Sequence, residues 1–581
     1  MIYPQFNECR QYHDLSGIWK FQFDPNNQGL NENWMNHFPK SHRFIAVPAS
    51  WNDQFEDFRD YVDIAWYKTQ FHLPWGYKQK KILLRFGSIH YFAQVWLNGS
   101  LVGHHEGGNL PFQFDVTSLV RESQNNLVLR VDGALSALSV PPGNVTPHPL
   151  DTFQNNTYPS VNFDFFPFCG VQRPVFLLAV PEHGFIDITI TSKLLPQDNA
   201  QVQLQIQLDS TIATQLDVHL SDLEKEIRTN IFQLPSSTEM VIEVPNAKLW
   251  SPESPFLYQL DLRLKQDAIT FDHIQLPVGI REIRANSNGL FLNNQRITLK
   301  GFGRHEDFPI LGRGSNPAVL IKDLSLMKWV GANSFRTSHY PYSEDTMALA
   351  DKMGFLVIDE TPSVGLFFEE TGLAARFKLS LDFIKDLIER DKNHPCVFCW
   401  SIANEPHSAR PNALHYLKEM IAFAKQLDST RLVSFASFRN YDEEALHFCD
   451  LICLNRYLGW YSYPGCLSEA SVNLSQDLDS IFKKFQKPIL LTEFGADALA
   501  GHHAQPPEMF SEEYQSLLIA AYLDLLNTKQ YIIGQHIWTL CDFKTAQAIH
   551  RIGGLNLKGV FTRDRRPKLA AHLLKKAWNP S

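Results

Sequence analysis

The chain has no excess of basic charge, no long apolar run, no clustered cysteines and no internal repeat. Each absence removes a class of function. Lys and Arg number 53 against 62 Asp and Glu, a net charge of -9. Nucleic-acid binding needs a basic face, so none is expected. No stretch of about eighteen apolar residues occurs, so no membrane-spanning helix and no membrane partner are expected. The opening MIYPQFNECRQYHDLSGIW has no charged region followed by an apolar one. It does not read as a secretory signal, and a cytoplasmic location is the expectation. The eight cysteines are scattered, which suits free thiols in a reducing compartment. Cys396 and Cys399 form a CxxC inside an apolar run. Residues three apart on a strand face opposite ways, so the pair reads as buried structural thiols. The sequons at Asn98-Gly99-Ser100 and Asn144-Val145-Thr146 read as chance without a signal.

What is present points to several domains. A chain of 581 residues is too long for one core, and roughly three domains are expected. Residues 1–180 read as β: short alternating runs, such as 81–86 and 93–97, are separated by turn signals that include Asn98-Gly99. A second β region fills 181–279, with strands at 201–208 and 240–244, and suits a small sandwich. From 280 to 581 the pattern changes. Apolar runs at 297–300, 356–359, 397–403, 451–454, 489–492 and 532–538 alternate with amphipathic segments of helical length at 319–330, 383–391, 416–427 and 514–527. Strand alternating with helix over this length predicts an eight-fold β/α barrel, with its chemistry at the C-terminal ends of the strands.

Two carboxylates stand where such a barrel places a site. Glu405 follows the run at 397–403 in WSIANEP, and Glu493 follows 489–492 in PILLTEFG; counted along the barrel they end the fourth and seventh strands. Acidic residues at the ends of apolar strands are poor core residues. A retaining glycosidase needs two carboxyls across the scissile bond, one protonated and one ionised. A structural ion pair or a divalent metal site would place acids in the same way. Asn404 beside Glu405 favours the glycosidase, because an amide there can bond a sugar 2-hydroxyl more strongly in the transition state.

Longer stretches carry a resemblance. GANSFRTSHYPYSEDTMALADKMGFLVIDE at 331–360 and RDKNHPCVFCWSIANEP at 390–406 resemble the two signatures of glycoside hydrolase family 2. GFGRHED at 301–307, LICLNRYLGWY at 451–461, LLTEFGADALAG at 490–501 and KGVFTRDRRPK at 558–568 are similar to its β-glucuronidase branch. VPASWNDQ at 47–54, HEGGNLPF at 105–112 and LWSPESPFLY at 249–258 extend the likeness over nearly the whole chain.

The resemblance implies a jelly-roll sugar-binding-like domain, an immunoglobulin-like sandwich and a catalytic TIM barrel. It implies net retention, with Glu405 as acid/base and Glu493 as nucleophile, and no metal or cofactor. Arg336 and Tyr457 match positions that serve the nucleophile. Asn556 and Lys558 match an Asn-x-Lys motif that reads the substrate carboxylate, with Arg551 and Tyr461 beside it. Asp164, in FDFFPFCG, matches an aspartate that reaches from the first domain to sugar hydroxyls, and His339 and Trp538 match pocket residues. The implied partners are small-molecule or oligosaccharide glucuronides, and a homo-oligomer is expected. A β-galacturonidase on the same scaffold is the nearest alternative; a neutral-sugar β-galactosidase or β-mannosidase and a non-catalytic carbohydrate-binding protein are further ones. Three departures bear on specificity: one residue more than the branch pattern in Gly553-Gly554-Leu555-Asn556, Phe163 in place of a histidine, and Thr539 in place of an asparagine. The link from 367 to 379 is short, which predicts an open entrance.

Overall fold

The computed structural model describes residues 2–143, 161, 163–209, 213–222, 226–233, 237–267 and 269–579. The first domain is a jelly roll of two antiparallel sheets. Six strands (Arg43–Val47, Gly17–Phe23, Ile64–His72, Gln124–Asp132, Phe92–Leu97, Ser100–Glu106) face four (Gln11–Asp14, Val175–Val180, Lys81–Phe86, Phe112–Asp115). Their alternating residues meet in one core that holds Trp19, Phe21, Leu84 and Val95. The sequon Asn98 is a structural turn residue. It adopts φ 55° ahead of Gly99 at 86°, and its amide donates to Leu119 O and Asn125 Oδ1, each at 2.9 Å. Asn144 lies outside the described residues.

The second domain is an immunoglobulin-like sandwich. Gly184–Leu194, Ala200–Asp209 and Ser237–Val244 pack against a four-stranded sheet that includes Gln215–Ser221, Tyr258–Gln266 and Ile269–Val278. Ala200–Asp209 alternates between buried residues and partly or fully exposed ones, as a half-buried strand must.

The barrel is closed. Its strands are β1 (Leu299–Gly303), β2 (Ser334–Arg336), β3 (Leu356–Glu360), β4 (Val397–Asn404), β5 (Leu432–Ser437), β6 (Ile452–Asn455), β7 (Ile489–Glu493) and β8 (Ile532–Ile537). The central strands β3, β4, β7 and β8 are buried at every residue, because helices cover one face and the barrel interior fills the other. That double burial makes β3, β4 and β7 largely apolar runs, whereas β8 also buries Gln535 and His536. The helices are α1 (Pro317–Val330), α2 (Glu344–Met353), α3 (Leu373–Asp391), α4 (Ala413–Leu427), α5 (Leu467–Phe485), α6 (Glu512–Asn527) and α7 (Leu569–Trp578). After β5 a 3-10 turn, Glu444–Phe448, stands in place of a helix.

Three details differ from the sequence expectation. The run at 297–300 straddles two elements: Gln295–Ile297 belongs to a small antiparallel sheet ahead of the barrel, and β1 begins at Leu299. β2 and β5 escape the apolar-run criterion, one because it is three residues long and the other because it carries two serines. α3 begins ten residues before the amphipathic segment at 383–391, so the link ahead of it is shorter than read.

That link is tied down. The fully buried Arg376 donates from Nη1 to Thr371 O (2.8 Å) and to Ala137 O of the first domain, and from Nη2 to Phe367 O (3.0 Å) and Glu369 O (3.2 Å). Other ties fix the first domain over the barrel mouth. Arg173 donates to Asn109 O, Pro341 O and Glu306, Arg85 pairs with Glu344 at 2.8 Å, and Lys544 pairs with Asp53 at 2.7 Å. Phe166 N donates to Lys544 O at 2.9 Å, which carries the segment with Asp164 to the end of β8.

Arg376→Ala should release the link. A hydrogen bond to a charged group contributes about 1.5–3 kcal/mol, so amide exchange at 367–373 should rise by about ten-fold or more. Unchanged protection there in hydrogen-exchange mass spectrometry would contradict the assigned role.

Candidate active site

One cavity of about 490 Å³ opens at the C-terminal mouth of the barrel. Glu405, Glu493, Asn404, His339, Tyr457, Tyr461, Trp538, Arg551, Asn556 and Asp164 all line it. Two of the site residues named from sequence are absent from the wall: Arg336 is fully buried beneath the acids, and Lys558 is 1 % exposed and lies behind Tyr461.

Arg336, at the end of β2, organises the acids. Its Nη1 donates to both oxygens of Glu360 (2.8 and 2.9 Å), and its Nη2 donates to Glu493 Oε1. Burial works against its charge, but Glu360 and Glu493 outweigh burial and hold the guanidinium above its ordinary pKa. Glu493 is 4 % exposed and takes a second hydrogen bond from Tyr457 Oη at 2.7 Å. Burial raises the Tyr457 phenol well above 10, so it stays a donor. Burial also lifts the Glu493 carboxyl, against the pull of Arg336 and with help from the Glu405 charge, to about 8.

Glu405 has weaker support. It leaves β4 at φ 46°, a left-handed conformation uncommon outside glycine, and is held there by its N–H on Ala436 O at 2.9 Å. Among the described residues its one side-chain hydrogen bond comes from Asn455 Nδ2 at 2.7 Å. Burial raises its pKa, and that amide lowers it in part. Asn455 is fixed in turn by Thr492 Oγ1, which donates to its Oδ1 at 2.8 Å. Asn404 accepts at Oδ1 from Arg336 (3.3 Å) and Asn455 (3.2 Å), which leaves its Nδ2 as the donor facing the cavity.

Trp538 forms one wall, with His339 stacked on it at 4.9 Å. Gly303 on β1 admits the indole, since a Cβ there would stand 2.6 Å from the ring. His339 Nδ1 lies 3.0 Å from Glu360 Oε1; burial, then the Arg336 charge, keep the imidazole neutral far below 6.5. Phe163 stacks on Phe165 at 4.2 Å and lines the cavity.

The opposite end is a polar cluster. Arg551 makes two bonds of 2.7 Å to Asp164 and one of 3.1 Å to Tyr461 Oη. Asn556 Nδ2 donates to Asp164 Oδ2 at 2.6 Å. Lys558 Nζ donates to Asp497 Oδ2 (2.5 Å) and Tyr461 Oη (2.9 Å). The lysine expected from the resemblance to read the substrate carboxylate is therefore already paired with a carboxylate of the protein. Arg551 Nη1 differs: it is buried, has no hydrogen-bond partner, and stands 3.7 Å from Asp497. The additional residue before Asn556 is absorbed by Gly553 and Gly554, both left-handed at 66° and 69°. Leu555–Asn556 then pairs with Phe543–Lys544, and Asn556 still reaches the cavity. Thr539 is buried and donates to Gly303 O at 2.7 Å, a fold contact outside the cavity wall.

Four participants escaped the sequence reading: Glu360, Asn455, Thr492 and Asp497. Glu360 carries the signal used for the two chosen acids, an acid at the end of an apolar run. Asn455 likewise ends β6. Cys396 and Cys399 are buried free thiols.

A cavity with paired carboxyls, a shared guanidinium, an indole wall and amide donors, set on the mouth of a (β/α)8 barrel, defines a glycoside-cleaving enzyme. The chain belongs to glycosyl hydrolase family 2. The descriptions "Glycosyl hydrolases family 2, sugar binding domain", "Glycosyl hydrolases family 2" and "Glycosyl hydrolases family 2, TIM barrel domain" match residues 12–181, 184–281 and 283–581. It is similar to a protein of Paenibacillus borealis named beta-glucuronidase, with 38% identity over 100% of this chain and 98% of that one. A human protein of the same name is 37% identical over 100% of this chain and 92% of its own. A solved structure from Ruminococcus gnavus, a beta-glucuronidase in complex with D-glucaro-d-lactam, superposes with a TM-score of 0.93 at 36% identity, covering 100% of this chain and 99% of that one.

Removing a Glu360 charge tests the shared guanidinium. Glu360→Gln breaks a buried pair, which costs about 3–5 kcal/mol. The denaturant midpoint of barrel unfolding should fall accordingly; an unchanged midpoint would show that Arg336 does not need Glu360.

Proposed function

We propose that the chain hydrolyses β-D-glucuronides with retention, through Glu493 as nucleophile and Glu405 as acid/base. The observation that carries the uronide reading is Arg551 Nη1, a buried donor that makes no hydrogen bond among the described residues, at the polar end of the sugar cavity and 3.7 Å from Asp497. A carboxylate at C6 of the sugar would supply that partner. Arg551, Asn556 and Tyr461 face it directly, while Lys558 sustains positive charge from behind Tyr461. The named relatives and the lactam complex of the Ruminococcus enzyme support the same substrate class.

Donor number assigns the two roles. Of Glu360, Glu405 and Glu493, the Arg336 guanidinium bonds to Glu360 and Glu493. Glu405 receives an amide alone, so the proton held by the pair sits best on Glu405. Its protonation removes a charge that pushes Glu493 up, leaving Glu493 ionised between Arg336 and Tyr457. Glu493 attacks the anomeric carbon and forms a glycosyl ester, while the bond to the leaving oxygen breaks and Glu405 protonates that oxygen. Glu405 then takes a proton from water, whose oxygen displaces Glu493. The Asn404 Nδ2 donor suits the 2-hydroxyl. The entrance is bounded by Val161, Val364, His407 and Phe438 beside the short link, which suits bulky aglycones.

Aryl glucuronide, galacturonide and glucoside with one leaving group form the direct test: the glucuronide should have the highest kcat/KM, and a faster galacturonide or glucoside would overturn the assignment. Arg551→Met and Lys558→Met should each cost about ten- to a hundred-fold on the glucuronide, the equivalent of one charge-assisted hydrogen bond. The slow glucoside reaction should barely change, and equal losses on both sugars would mean that the cluster supports the fold only.

The pH profile separates the carboxyls. The Tyr457 bond lowers the Glu493 pKa and the Asn455 bond lowers that of Glu405. The ionised nucleophile sets the acid limb of kcat/KM, and the protonated acid sets the alkaline limb. Tyr457→Phe should therefore move the acid limb up, and Asn455→Ala should move the alkaline limb up. The reverse pattern would exchange the two roles.

A further inference from the structure

A second cleft lies at the other end of the barrel, where the sandwich domain meets the N-terminal ends of the strands. It encloses about 260 Å³ and is lined by Thr191 and Ser192 of the sandwich, by Arg281 and Arg284, and by Ser429 and Arg431 ahead of β5, among others. Arg281 is 7 % exposed. Its Nε donates to Pro395 O at 3.0 Å and its Nη2 to Val397 O at 2.5 Å. Among the described residues its Nη1 donates to nothing, and no carboxylate lies within ion-pair distance of it.

Arg431 comes to the same carbonyl: its Nε donates to Val397 O at 2.9 Å. Two guanidinium groups thus converge on one oxygen in a buried place. The remaining donors of Arg431 are used, on Asp428 (3.0 Å), Thr430 Oγ1 (3.2 Å) and His394 O (2.9 Å). Asp428 is itself engaged by Trp400 Nε1 and Thr430 N. Glu282, the acid on the cleft wall, accepts from Leu194 N at 2.9 Å. Burial first, and the Arg431 charge second, push the Arg281 guanidinium down to about 9. The cleft therefore holds two guanidinium groups beside one carboxylate, Asp428, which pairs with Arg431, and among the described residues Arg281 keeps one donor nitrogen without a partner. Buried charges are ordinarily paired.

We propose that this cleft is a binding site for a small oxyanion, phosphate or sulfate, free or carried on a small molecule, with Arg281 Nη1 as its principal donor. Arg431 and Arg284 add positive potential, and the cleft has room for more than a bare ion. Pro395 and Val397, the carbonyls that Arg281 holds, open β4, the strand that leads to Asn404 and Glu405 at the catalytic end. A bound anion would sit at the root of that strand, apart from the sugar cavity.

The test uses the full-length protein and titrates inorganic phosphate, sulfate and a sugar phosphate by calorimetry at constant ionic strength, with chloride as the reference. One saturable site is expected for the oxyanions and none for chloride. Tighter binding of the sugar phosphate would identify an ester as the ligand, and equal binding would identify the free ion. Arg281→Met should weaken the affinity by about ten-fold or more, the effect of one charge-assisted hydrogen bond. Where that variant fails to fold, Ser429→Glu serves instead. It places a carboxylate at the exposed rim, where it would occupy the guanidinium and block the site. Arg551→Met, in the sugar cavity, should leave the affinity unchanged. Absence of saturable binding to the wild type, equal affinity in wild type and Ser429→Glu, or loss in Arg551→Met alone would overturn the proposal.

Discussion

The catalytic end of this protein depends on one guanidinium divided between two carboxylates. Arg336 holds Glu360 with one nitrogen and Glu493 with the other. A buried carboxylate without such a partner would take up a proton and lose its use as a nucleophile. A buried arginine without the acids would be equally costly. Each group makes the burial of the others tolerable, and the barrel supplies the geometry by ending β2, β3 and β7 at one mouth. Glu405, at the end of β4, stands outside this arrangement and among the described residues has only the Asn455 amide. The difference between two glutamates in one cavity thus comes from the donors that adjacent strands present.

The same accounting applies at the polar end of the cavity. Arg551 and Lys558 face Asp164 and Asp497, so the cluster is balanced before any sugar enters. In the proposed reading a uronate adds a negative charge, and Arg551 Nη1 has no hydrogen bond among the described residues with which to compete for it. Asp164 belongs to the first domain, and it reaches the cavity because Arg173 (to Glu306 and Pro341), Lys544 and the backbone of Phe166 fasten that domain to the barrel. The jelly roll is therefore part of the sugar cavity as well as a neighbour of the barrel.

Much of this was legible in the sequence because double burial writes itself as apolar runs. β3, β4, β7 and β8 were visible for that reason, and the acids at the ends of β4 and β7 stood out against them. β2 was hidden by its brevity and β5 by its serines. Arg336, Tyr457 and the Asn-x-Lys pair came from resemblance, since spacing alone does not show which distant residues meet. Glu360 was missed although it carried the same signal as Glu405 and Glu493. An acid that ends an apolar strand can serve a neighbouring arginine as readily as a substrate, and that distinction is three-dimensional. The pairing of Lys558 with Asp497 was illegible for the same cause: sixty-one residues separate them.

The division of labour between the two glutamates is tested most directly by trapping the glycosyl ester. A 2-deoxy-2-fluoro-β-glucuronide with an activated leaving group should inactivate the enzyme, because fluorine slows both oxocarbenium-like steps while the activated leaving group restores ester formation alone. Peptide mass spectrometry should then find the sugar on Glu493. A label on Glu405 or Glu360, or turnover with no covalent species at all, would contradict the assignment.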